Sequence, residues 1–207
     1  WLHPLQAWGE SPFSRHLGDD FTRVTTPRCV ECHNTWFTHE PGTTNQYDRA
    51  QSILGVTCER CHGPGQRHVA FHQANPKATV AEAIVHPGRL SRARELDVCA
   101  QCHSNATNHR QAPFSYRPGE PLDDYYRTAS IPHREDDRVA DQVKYLGQSK
   151  CFQKSDALTC TTCHDPHQPE TAAVVGRGCL KCHQPEHCAD RGRLPEPVRN
   201  ACVDCHM

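Results

Sequence analysis

The hydrophobic pattern of this chain is short-ranged, with brief apolar stretches cut by proline, glycine and charged residues. Residues 1–28 read as irregular, with one short helical candidate that starts at Ser11-Pro12 and carries His16 one turn in. A turn-rich stretch follows at His39-Glu40-Pro41-Gly42, and Gly63-Pro64-Gly65 predicts a sharp turn. The helix expected after that turn sets His68 and His72 four apart on one face, until Pro76 ends or kinks it. The apolar stretch 80–85 leads into His86-Pro87-Gly88, and residues 92–101 read as a helix. In the first half of 104–159, Pro113, Pro118, Pro121 and Pro132 predict loop. The second half holds a charged, amphipathic helix over 136–146, with Val139, Val143 and Leu146 on one side.

Composition limits what these elements can do alone. Hydrophobic residues make up 36% of the 207, but that figure counts 14 Cys, against one Met, three Trp and six Phe. So little apolar side-chain area folds poorly as an ordinary protein of this size. Length suits one or two domains. A formal net charge of −1 argues against a global basic field for nucleic acid. No apolar run approaches the roughly 18–20 residues that cross a bilayer. The chain begins at Trp1 and shows no signal peptide, so it reads as a mature processed form or part of a longer product.

Twelve of the cysteines fall in six copies of Cys-x-x-Cys-His. The copies are Cys29, Cys32 and His33; Cys58, Cys61 and His62; Cys99, Cys102 and His103; Cys160, Cys163 and His164; Cys179, Cys182 and His183; and Cys202, Cys205 and His206. This pentapeptide is the attachment signature of a c-type haem, and fewer than about one copy is expected by chance. Two cysteines three apart set both sulfurs on one side of a turn, where they bond the haem vinyl groups. The next residue, His, then meets the iron as proximal ligand. Zinc sites also use Cys-x-x-Cys pairs, but zinc does not require a His after every second Cys. Thioredoxin-like motifs leave the repeated His equally unexplained.

Six haem c groups would supply the missing apolar surface, and the apo-chain is expected to be largely unfolded. The motifs start at 160, 179 and 202 in the last third, so those three haems must be close neighbours. The other intervals differ, which argues against a regular solenoid. Tyr116, Tyr125, Tyr126 and Tyr145 are expected against porphyrin faces or edges. Cys151 and Cys188 lie outside the motifs. A disulfide and two unpaired thiols both remain open for them, with axial thiolate ligation a third reading.

The sixth coordination position decides the electronic character. The single Met, Met207, adjoins the proximal His206 and is too close to reach the opposite face of that haem. His/Met ligation is thereby excluded for at least five haems. Ten histidines lie outside the motifs, namely His3, His16, His39, His68, His72, His86, His109, His133, His167 and His187. Bis-His ligation of six haems would use six of them, and low reduction potentials follow.

Gly55-Val56-Thr57-Cys58-Glu59-Arg60-Cys61-His62-Gly63-Pro64-Gly65 followed by His68 resembles the signature of the cytochrome c-554 family and its larger multihaem relatives. The Cys-x-x-Cys-His-Asp-Pro-His unit ending at His167 and the closing Cys-x-x-Cys-His-Met are similar to units of those relatives. The resemblance covers most of the chain. It implies a mainly α, haem-packed fold with extensive loop and little or no sheet, compact or elongated, with stacked parallel and perpendicular haem pairs. It implies one cytochrome unit, with a three-haem part over 1–110, a linker and helix over 111–150, and a three-haem part over 151–207. It also implies distal ligands. His16 is similar to the residue that caps the haem of the Gly-Pro-Gly motif, and His86 to the distal ligand of motif three's own haem. His68, or His72 one turn on, resembles the ligand of a haem attached before the His16 segment. No motif precedes Trp1, so His68 serves another haem or points to a further one upstream. His167 is the expected distal ligand in the C-terminal half, with His133 and His39 next and His187, His109 and His3 in reserve.

The expected function is electron transfer by a low-potential hexahaem cytochrome, exchanging single electrons with redox partner proteins in the periplasm or outside the cell. Two alternatives stand beside it: a subunit of a conducting extracellular filament of copies of itself, and a reductase of a nitrogen or sulfur oxyanion at a five-coordinate haem. No constellation of side chains singles out a catalytic haem, so no catalytic residue is assigned and a carrier is expected rather than an enzyme.

Overall fold

The computed structural model describes residues 24–104, 106–128, 141–169, 171–199 and 201–203. His3, His16, His133, Cys205, His206 and Met207 lie outside them, as do the helical candidate at Ser11-Pro12 and the first part of the helix expected over 136–146. The chain divides into two compact units, Trp1–Thr57 and Cys58–Met207.

In the first unit, helix α1 (Pro27–His33) begins on a proline, whose missing N–H is not needed in the first turn. It ends where Asn34 becomes extended. Strands β1 (Asn34–His39) and β2 (Tyr47–Leu54) form an antiparallel ribbon that pairs Trp36 with Ile53 and His39 with Tyr47. Threonine and aromatic side chains suit this pleat. Gly42 supplies the positive φ of 77° in the connecting turn. Buried Thr35 fastens the far end: its hydroxyl donates to the Gly55 carbonyl (2.8 Å) and accepts from the Thr57 N–H (2.8 Å). The ribbon leaves Trp36, Ile53 and Leu54 exposed.

The second unit runs α2 (Cys58–His62), α3 (Gln66–Ala74), α4 (Arg92–His103), β3 (Ala106–His109), β4 (Tyr126–Thr128), α5 (Gln142–Gln148), α6 (Lys150–Gln153), α7 (Ala172–Cys179) and α8 (Glu196–Arg199). Gly63, with φ of 77°, turns the chain out of α2. Helix α3 stops at Asn75, before Pro76. Ser91 caps α4, its hydroxyl accepting from the Arg94 N–H (3.4 Å). Strands β3 and β4 pair antiparallel, with His109 opposite Tyr126.

The core gathers between α4 and the segment that follows it. Ala100, Tyr116, Leu122, Tyr125 and Tyr126 pack together, with Val143 of α5 against them. Tyr116 and Tyr125 meet edge to face at 5.4 Å. Three of the tyrosines expected against porphyrin therefore contribute to the polypeptide's own core. Residues 111–150, expected as linker and helix, contribute most of that core.

Candidate functional site

Five of the six motifs can be followed through to their histidine, and each makes a single tight turn. The first three close helices: His33, His62 and His103 are the last residues of α1, α2 and α4. Motif four is one 3-10 turn, Cys160–Thr162, started by a capping box in which Thr162 Oγ1 accepts from the Thr159 N–H (3.0 Å). Motif five begins on Cys179, at the end of α7. In motifs four and five the histidine N–H donates back to the first cysteine's carbonyl, at 2.9 Å for both His164 and His183. A turn of this kind sets residues three apart on one side. Cys202 of motif six is in a helical turn, while Cys205 and His206 lie outside the described residues. No disulfide joins the described cysteines, and Cys151 and Cys188 are both exposed.

The residue before the second cysteine has a role that the motif itself does not reveal. In the first three motifs it is polar yet buried: Glu31 is 0% exposed, Arg60 5% and Gln101 1%. Gln101 Nε2 donates to the Arg60 carbonyl (3.2 Å) and the Val98 carbonyl (2.8 Å), tying motif three to motif two. Buried Glu95 of α4 accepts from Thr159 (2.8 Å) and from Thr161, tying motif three to motif four. Lys181 Nζ donates to the Thr162 carbonyl, tying motif five to motif four. At the same junction Gly178 lies so close that a Cβ there would sit 2.8 Å from the Cys163 Cα.

The thiols record the same adjacency. The interaction between the Cys99 and Cys160 thiols pushes Cys99 up and Cys160 down to about 7. Burial pushes Cys61 up. It also raises Cys163 and Cys179, with repulsion from Cys179 on the former and from Cys202 on the latter. Burial, then the neighbouring His164, lowers His103 and favours the neutral imidazole that binds metal. Motifs two to six thus form an unbroken series of neighbours within the second unit.

The spare histidines fall into distinct environments. The rings of His62 and His167 lie 5.9 Å apart with planes inclined by 17°. His62 Nδ1 donates to the Val85 carbonyl (2.8 Å), and His167 Nδ1 is 3.6 Å from the Asp165 carboxylate. Both pairings leave Nε2 available, the arrangement usual for metal-bound imidazole. His68 likewise engages Nδ1, with the Glu82 carbonyl (2.8 Å), whereas His72 uses Nε2 on the Val80 carbonyl (3.1 Å). His68 is therefore the better-placed ligand of the two. His39 packs on Tyr47 at 5.5 Å, and its buried Nε2 has no hydrogen-bond partner among the described residues. His86 is exposed at the start of the turn Pro87–Arg89, His187 is exposed at the end of the turn Pro185–His187, and His109 packs on Tyr126.

The residues fit a haem on three counts. A cleft of about 750 Å³ opens beside Cys58, walled by His68, Val69, Ala70 and Ile84, a size suited to a cofactor. The buried Arg60 guanidinium, with Cζ 5.5 Å from the centre of the Phe114 ring, keeps Nε and Nη2 without hydrogen bonds among the described residues. A buried cation with unused donors suits an acidic group such as a haem propionate. The donor set, two thiols and an imidazole per turn, is the one that c-type haem requires. The motif cysteines and their histidines would hold it.

Residues 10–63, about a quarter of the chain, match the family model described as cytochrome c554 and c-prime. No curated protein and no solved structure matches the chain. The matched segment contains motifs one and two whole, and it supports a c-type cytochrome that carries covalently bound haem and transfers electrons.

Proposed function

We propose that the chain is a low-potential hexahaem electron carrier, which passes single electrons along the haems of motifs two to six. The observation that carries this reading is the stapling of motifs two to five, each to the next, through Gln101 to Arg60, Glu95 to Thr159 and Thr161, and Lys181 to Thr162. Haem supplies a one-electron iron couple. The chain's part is to hold the attachment turns in fixed contact, so that groups bound there are neighbours in order. His62 and His167 would hold the iron of a haem attached at motif two between them. Two metal–imidazole bonds span about 4 Å between nitrogens and about 6 Å between ring centres, close to the observed separation. This gives motif two a ligand other than His16, which lies outside the described residues. A carrier of this kind works among redox proteins in an exported compartment, where Cys-x-x-Cys-His haems are attached.

Intact mass, reductive titration and carbon monoxide binding test the reading together. The expected results are the polypeptide plus six haems, six one-electron equivalents and no carbon monoxide shift. A chain carrying fewer haems would overturn the hexahaem carrier. A carbon monoxide-reactive iron that turns over nitrite or hydroxylamine would replace the carrier with a reductase.

A further inference from the structure

We infer that Cys151 is the distal ligand of the haem attached at motif five, opposite His183. The inference rests on the haem-bearing reading of Cys179 and Cys182. Cys151 Sγ lies 4.0 Å from His183 Nε2, the imidazole nitrogen that the motif directs to iron. Metal–imidazole and metal–thiolate bonds, about 2.0 and about 2.3 Å at zinc, sum to about 4.3 Å across a shared metal. The two side chains are therefore spaced as a trans axial pair, and thiolate is an established axial ligand of haem iron.

The position of Cys151 is built by its surroundings. Ser149 caps α6, accepting from the Phe152 N–H (3.2 Å) and donating to the Leu146 carbonyl (2.7 Å). Arg92 of α4 lies over the Phe152 ring at 3.7 Å, and donates to the Phe152 carbonyl (3.0 Å) and the Leu158 carbonyl (2.9 Å). The helix that bears Cys151 is thus clamped to the helix that bears motif three. Cys151 is also a free thiol in neither a motif nor a disulfide, beside Cys163 of motif four and Cys179 of motif five. Placed there, an anionic sulfur favours ferric iron and holds this haem below the potential of its bis-His equivalent.

Low-temperature EPR of the oxidised holoprotein, with peptide mapping of haem on Cys179 and Cys182, decides the matter. The expected spectrum contains one low-spin haem with the narrow g-spread of imidazole–thiolate ligation. Cys151→Ala should remove that signal and produce one high-spin haem. Cys151→His should replace it with a bis-His signal and raise the lowest midpoint potential. A parent spectrum without a thiolate signal, in protein whose Cys179 and Cys182 carry haem, overturns this assignment and leaves the carrier reading standing. That result needs no variant to fold. The same conclusion follows if Cys151→Ala leaves the spectrum unchanged. Haem-free Cys179 and Cys182 would sink the assignment and the hexahaem carrier together.

Discussion

Gly178 occupies a place where no other residue fits. A Cβ there would press on the backbone of Cys163, which has no flexible end to swing aside. Gly178→Ala is expected to cost about 1–3 kcal/mol through overpacking. Gly176 lies in the same helix with open space around it, so Gly176→Ala should gain about 0.5–1 kcal/mol. Thermal unfolding of the two holoprotein variants checks the contrast, and equal effects would show that the Cys163 contact is unimportant. The sequence makes the six pentapeptides plain, because each repeats two cysteines and a histidine at the same spacing. Their variable positions are harder to read. Glu31, Arg60 and Gln101 look like solvated polar residues, yet their side chains are buried. For Gln101 it is the bond to the Arg60 carbonyl, remote in sequence, that gives the position a meaning.

Between elements, the decisive joint is the one from α4 to the turn of motif four. Glu95 accepts two threonine hydroxyls there from a buried position, so its removal leaves donors unpaired. Glu95→Ala should lower stability by about 1–3 kcal/mol, while Glu95→Gln, which keeps an acceptor, should lose less. Denaturant midpoints of the holoprotein rank the two, and the reverse order would contradict the joint. The reading of residues 92–101 as a helix stops two residues short of the observed α4. The attachment turn is itself the helix's last turn. The β1–β2 ribbon was less legible. Pro41-Gly42 marks only its tip, while Thr35, Trp36, Phe37 and Thr38 carry the strand preference. The tyrosines could not be placed from sequence because a porphyrin face and a neighbouring ring accept the same side chain.

At the scale of the molecule, the described residues provide only a small polypeptide core. Among the described residues the buried hydrophobics are Val98, Ala100, Phe114, Tyr116, Leu122, Tyr125 and Tyr126, whereas Trp36, Leu54, Val56, Val69 and Leu180 are exposed. Haem-free chain is therefore expected to lack a cooperative thermal transition and to bind a hydrophobic dye, while the holoprotein melts cooperatively. Calorimetry with dye binding checks this, and an apo-chain melting like the holoprotein would refute it. Low apolar content raises this expectation in the sequence, but the order in which the motifs adjoin is not legible there. That order comes from contacts such as Glu95 to Thr159, which no spacing rule predicts.

The nearness of the Cys99 and Cys160 thiols also bears on how the protein can be made. They belong to different motifs, and their interaction lowers the Cys160 thiol to about 7. A bare chain that closed early would bring these two sulfurs together as a thiolate and a thiol, poised for oxidative cross-linking. Such a bond would occupy one cysteine of each motif until it is reduced. If both motifs take haem, attachment is expected while the chain is open and reduced, before these two sulfurs come together.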